Sequence, residues 1–184
     1  GYWAGASYNT ADAWTGAALQ SSPDVAAWLV ADTSTDEATW GVIETPPADP
    51  GSPWHTQFDG TMTIKIVGGP LVPTSTNNLG LANLENPLAI INGEVEIIQY
   101  RDVTVLGSGR YTLAVFYRGQ RGTDTMTGGI QTGDTFVFLS TIGIEPVSIP
   151  ISQWNAVEFY RLVTAGAFSA SATVQGFIYH GRDL

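Results

Sequence analysis

The chain's 184 residues hold 17 acidic groups against six arginines and one lysine, a formal charge of −10, and no cysteine. That balance excludes binding to a phosphate backbone or an anionic membrane surface, both of which need clustered Lys and Arg. It also excludes disulfides and thiolate metal sites, and leaves the redox compartment open. Charged residues make up 13% and hydrophobic ones 43%, so Thr, Ser, Asn, Gln and Gly must build much of the surface. Long exposed helices draw on Lys, Glu and Arg, and their scarcity argues for strands and turns. No apolar run approaches the ~20 residues of a membrane span, and the opening GYWAGASYN is not a signal peptide.

In chain order, residues 14–21, 26–31 and 39–45 read as strands. They are linked by Ser22-Pro23-Asp24 and by a polar stretch at 32–38. Four prolines within 46–53 remove ladder donors and predict an irregular or polyproline-like connection. Residues 61–67 alternate cleanly, with Met62, Ile64 and Ile66 on one face. Residues 70–92 read as an irregular crossing with one short helical turn near 81–85. Two more alternating runs follow at 94–100 and 111–118, separated by Gly107-Ser108-Gly109. In the second of these, Tyr111, Leu113, Val115 and Tyr117 share one predicted face, and Phe116 and Arg118 the other. Residues 119–135 read as turns of a hairpin leading into the apolar run 136–139, and 157–163 and 173–180 close the series. Strand-sized runs with Gly and Ser punctuation predict an all-β protein: an antiparallel sandwich or barrel-like domain with little helix. We expect one domain over 1–184, or two small β subdomains with a division near 107–109. Both ends look like cuts, so a domain ordered within a longer polypeptide is the expectation.

Arg118-Gly119-Gln120-Arg121-Gly122-Thr123-Asp124 is the densest local motif. Its glycines permit a sharp reversal, and Thr123 and Asp124 can bond back to turn amides. Among so many acids a guanidinium finds a carboxylate, and Asp124 and Glu94 are candidate partners. Arg118 and Arg121 are therefore expected to brace the reversal rather than face a ligand. Catalytic apparatus is not legible. His55 and His180 have no metal-ligand spacing, and there is no Gly-x-Ser-x-Gly. Glu94 and Glu96 could form a glycosidase pair, and Asp32, Asp36 and Glu37 could hold a cation, but solvated carboxylates are the plainer reading. No catalytic residue, metal or cofactor is assigned. Six tryptophans raise a carbohydrate platform, for which Trp54 and Trp154, beside turns, are the contact candidates.

These residues, in order, resemble the fibre-binding region of the tail-tip (baseplate hub, host-specificity) proteins of long-tailed phages and gene transfer agents. The carriers are Arg118 to Asp124 as an Arg-Gly-x-Arg-Gly-Thr-acidic motif, and Gly133-Asp134-Thr135-Phe136-Val137-Phe138-Leu139 as the strand after it. Asn92-Gly93-Glu94 leading to Tyr100-Arg101 resembles the family's Gly-Glu strand. Trp14-Thr15-Gly16-Ala17 with Ser22, Asp24 and Trp28 resembles its opening hairpin, and Phe177 to Arg182 its closing segment. One departure is Ile130, in a region where the family often has a histidine. The resemblance implies a structural virion component, made in the bacterial cytoplasm and placed at the tail. It would be threefold about the tail axis, contacting other tail-tip proteins, a fibre and a host receptor or glycan. The rival readings are a carbohydrate-binding β-sandwich module and a glycan-degrading tail enzyme.

Overall fold

The computed structural model of the chain describes residues 2–6, 14–50, 57–167 and 169–180. Its strands are β1 (Tyr2–Gly5), β2 (Ala17–Ser22), β3 (Leu29–Ser34), β4 (Trp40–Thr45), β5 (Gln57–Gly68) and β6 (Pro87–Ile91). They continue with β7 (Val95–Gly107), β8 (Arg110–Tyr117), β9 (Thr135–Phe138), β10 (Ile144–Val147), β11 (Val157–Thr164) and β12 (Val174–Ile178). One five-residue helix, α1 (Asn78–Ala82), lies between β5 and β6. Every strand pairing is antiparallel, so the all-β expectation holds. The chain forms two compact units, one from Ala38–Ser140 and one from Gly1–Glu37 with Thr141–Leu184. Gly107-Ser108-Gly109 lies at the β7–β8 turn, inside the first of these.

The Ala38–Ser140 unit is a closed barrel in the order β4-β5-β8-β7-β6-β9. Closure pairs both edges of every strand and removes the free edges an open sheet would carry. Alternate residues fill the interior: Ile43, Met62, Ile64, Leu88, Ile90, Ile98, Leu113, Phe116, Phe136 and Phe138 are all buried there with Tyr100. The rings of Phe136 and Phe138 meet edge to face at 5.3 Å, and Tyr100 meets Phe138 at 6.1 Å.

One predicted face is corrected. Val115 has φ 58°, and this left-handed residue breaks the two-residue period of β8. Leu113 and Phe116, three apart and expected on opposite faces, therefore both point inward, and Arg118 keeps the expected face of Phe116. The neighbouring strand makes the matching shift, because Tyr100 pairs with Phe116 and Val103 with Leu113.

The crossing at 70–92 also needs correction. Asn77 accepts from the Gly80 amide and caps a helix that starts at Asn78, earlier than predicted. Residues 87–91 form a full strand, with Pro87 at its first position, where a missing N–H is tolerated. The Gln99 side chain, on the outer face of β7, is buried beneath this segment and donates to the carbonyls of Leu81 (3.1 Å) and Glu85 (2.8 Å).

The second unit holds the open sheet β12-β11-β2-β3 and a two-stranded β1-β10 pair. The third strand begins at Leu29, not at residue 26. The Asp24 carboxylate accepts from the amides of Ala26 (2.9 Å) and Ala27 and from Ser22 Oγ (3.2 Å), which holds 22–27 as a turn. Those bonds, Ala26 foremost, also hold the Asp24 carboxyl below its ordinary range. Arg161 hydrogen-bonds Gln20 Oε1 at 2.7 Å and lies 4.1 Å over the Trp28 ring.

Tyr100 links the core to pH. Burial pushes its phenol well above the ordinary value, because an ionised ring would have to sit in an apolar interior. Its neutral form is thus favoured by folding. That contribution is fully present below the unfolded value near ~10 and is lost as pH rises above it. Melting temperatures between pH 8 and 11 should fall more steeply for wild type than for Tyr100→Phe. Parallel curves would refute this.

Candidate functional site

The motif region is built where β8 leaves the barrel. With Phe116 turned inward, Arg118 follows it and is 1% exposed. Across from it, β7 carries Glu96 on the same inward face as Ile98 and Tyr100. The two side chains meet as a fork: Arg118 Nε donates to Glu96 Oε1 at 2.6 Å and Nη2 to Oε2 at 2.8 Å. The Gly119 amide donates to Oε1 as well, at 3.2 Å. A paired geometry with an added amide is what a buried carboxylate requires, since an isolated charge in this interior would be prohibitive. The carboxylate that holds Arg118 is therefore Glu96, two positions beyond the proposed Glu94.

Gly119 is left-handed (φ 59°, ψ 36°). A side chain there would place Cβ 2.6 Å from Asp124 Cα and 2.9 Å from Thr127 Cγ2, so the chain folds back too closely for anything but glycine. Two tight 3-10 turns follow, Gln120–Gly122 and Asp124–Met126. Arg121 is exposed on the first, at φ 56°. Gly122 is at φ 84° facing open space, so its role is torsional rather than steric. Thr123 ties the turn to the barrel: Oγ1 accepts from the Ile97 amide at 2.9 Å and donates to the Gln120 carbonyl at 2.8 Å. Asp124 opens the second turn, and its carbonyl accepts from Thr127 Oγ1. Thr123→Val should leave the Ile97 amide without its partner and cost about 1–3 kcal/mol, measured by urea melts. A change below about 0.5 kcal/mol would show that water replaces the hydroxyl.

This region is not the hairpin the sequence suggests. The strands β8 and β9 are not neighbours; β7 and β6 stand between them. The 118–134 segment must pass both. It does so through Glu96 and Ile97 on β7, then the β6–β7 turn, where Asn92 Nδ2 donates to the Gly129 carbonyl at 2.8 Å. Ile130 then packs against the barrel core. Finally the Gly133 amide donates to the Ile43 carbonyl (2.8 Å), and the Ile43 amide to that of Asp134 (2.9 Å), which delivers the chain to its place beside β4.

The arrangement is a lock, not an exposed reactive group. Both Glu96 oxygens accept from Arg118, so Glu96 is committed and cannot face solvent as half of a carboxylate pair with Glu94. Asp32 Oδ1 accepts from the Thr33 amide at 2.8 Å. Among the described residues, no three of His, Cys, Asp and Glu lie close enough to share a metal ion. His180 Nδ1 is 3.1 Å from Asn155 Oδ1. Trp154 is 41% exposed and meets Tyr179 at 5.9 Å with the rings 75° apart, so those two rings are not a flat platform. Trp54 and His55 lie outside the described residues. Sequence reasoning passed over Glu96 as the ion-pair partner, and also the packing of Ile130 on the barrel core. The first was signalled by its parity with Ile98, the second by its apolar side chain among turn formers.

The family described as Rcc01698-like, C-terminal, matches residues 38–137. Among curated proteins, none matches the chain. The matched stretch begins at the first residue of the barrel unit and ends within its last strand, so it takes in β4 to β9, the Glu96–Arg118 pair and the crossing that carries it. It covers more than half of the 184 residues, and the chain belongs to the Rcc01698-like, C-terminal family.

Proposed function

We propose that this chain is a structural component of a phage-type tail tip, bridging the tail hub to fibres and host-attachment parts. The observation that carries the reading is the state of the Arg-Gly-x-Arg-Gly-Thr-acidic run. Its lead arginine is sealed against Glu96, its first glycine is needed for a close backbone approach, and its threonine bonds β7. A motif used in this way holds a barrel in shape, which suits a scaffold subunit better than a reacting site. Its neighbours in the particle are other tail-tip proteins, a fibre and two further copies about the tail axis. Nucleic acid is not a partner of so acidic a chain. Antibody labelling or imaging of particles tests this. Density for the chain at the tail tip is the expected result; density inside the capsid, or none in particles, would overturn it.

A second reading, a carbohydrate-binding module, draws on the exposed ring of Trp154. Glycan-array binding that is lost in Trp154→Ala or Trp54→Ala would favour it over the scaffold. Release of reducing sugar from host polysaccharide would point to an enzyme.

A further inference from the structure

The turn between β6 and β7 carries Asn92-Gly93, the chain's single Asn-Gly pair; every other asparagine precedes a residue with a side chain. Residues 92–94 bend the chain from Ile91 to Val95, the last pairing of the two strands, and all three are exposed. Gly93 has φ 97°, and beyond its chain neighbours no atom lies within 4 Å of the place a Cβ would take. Its amide makes no hydrogen bond among the described residues, whereas the Asn92 amide donates to the Glu94 carbonyl at 3.1 Å. A side-chain amide thus stands one residue before a bare, exposed and unengaged backbone nitrogen. Joining the two closes a five-membered ring within one molecule, and glycine has no Cβ to obstruct it.

We propose that Asn92 is a deamidation site, and that its conversion releases the 118–134 crossing from the β6–β7 turn at Gly129. The Gly93 nitrogen gives its proton to solvent base and attacks Asn92 Cγ. The N–Cγ bond forms, the Cγ–Nδ2 bond breaks, and Nδ2 takes up a proton and leaves as ammonia. Water then opens the succinimide at either carbonyl. The product is aspartate or, with the backbone rerouted through the side chain, isoaspartate. The group lost is the one that fastens the crossing, since Asn92 Nδ2 donates to the Gly129 carbonyl at 2.8 Å. An ionised carboxylate only accepts, so in its place it opposes that carbonyl instead of bonding it. The seat is close: a Cβ at Gly129 would lie 3.1 Å from Nδ2. The inference rests on this turn and not on the tail reading.

The test is a time course on the intact folded protein at physiological temperature, between pH 7 and 9. Peptide fragmentation should place the mass gain of an amide-to-acid exchange at Asn92 ahead of every other asparagine, as mixed aspartate and isoaspartate. The rate should rise with pH, because the attacking nitrogen must lose its proton, and the product should elute later on anion exchange. Gly93→Ala should slow the gain severalfold. Asn92 left intact in the folded protein while the urea-unfolded chain converts would overturn the proposal. So would conversion no faster at Asn92 than at Asn83 or Asn155. Hydrogen exchange reads the release. Amides at 127–131 should exchange severalfold faster in Asn92→Asp, and in the converted wild type isolated by anion exchange, while those of Ile64 and Leu113 keep their protection. Unchanged exchange at 127–131 in both would overturn the release.

Discussion

Glu96→Ala or Arg118→Ala is expected to destabilise the barrel by about 3–5 kcal/mol, lowering the melting temperature by roughly 6–20 °C. Either substitution strands a full charge in an interior where its partner is 1–4% exposed by side chain. Glu96→Ala also removes the acceptor for the Gly119 amide. Arg118→Lys should recover little, because an ammonium cannot reproduce the two-pronged contact at 2.6 and 2.8 Å. The double variant Glu96→Leu, Arg118→Met separates the penalty of an orphaned charge from the net worth of the pair. It should lie within about 1–2 kcal/mol of wild type, since apolar replacement of a whole buried pair is often neutral or favourable. A double variant as unstable as the single ones would mean that the pair itself, and not the avoidance of a lone charge, sustains this end of the barrel. By contrast Arg121→Ala, at an exposed turn position, should change stability far less than Arg118→Ala.

Gly41→Ala should destabilise the barrel by about 1–3 kcal/mol, and by more if β4 cannot shift. A Cβ built there lies 2.0 Å from the Lys65 carbonyl oxygen and 2.7 Å from the Phe136 ring. The first neighbour is backbone on β5, so relief requires the strands to part; the second belongs to the core cluster. Both strands flanking Gly41 would therefore be disturbed, and those contacts close the barrel. The contrast is Gly93→Ala, where φ is +97° but nothing lies within 4 Å. That change carries a torsional cost of about 1 kcal/mol. Urea denaturation of the two variants distinguishes steric from torsional glycine. Equal losses would show that β4 relaxes freely.

Local alternation was enough to predict the all-β class, and for residues 61–67 it also identified the inward face, because each side chain's direction there depends only on its parity. Turn chemistry was legible for the same reason: the glycines around Arg118 and Arg121 are needed by the backbone within a few residues. What lay beyond the sequence was whatever depends on which strands become neighbours. The left-handed Val115 shifts the parity of β8, and no short-range signal marks a valine for that role. The strand at 87–91 is five residues long and opens on a proline, and it is a strand because β7 and β9 bond it on both sides. The carboxylate for Arg118 is chosen by the β7–β8 register, which opposes Tyr100 to Phe116 and so sets Glu96 within reach of the arginine two residues on. A run that reads as a hairpin became a crossing for the same reason. Barrel closure puts two strands between β8 and β9, so the segment joining them runs past the buried Glu96–Arg118 pair and packs Ile130 on the core.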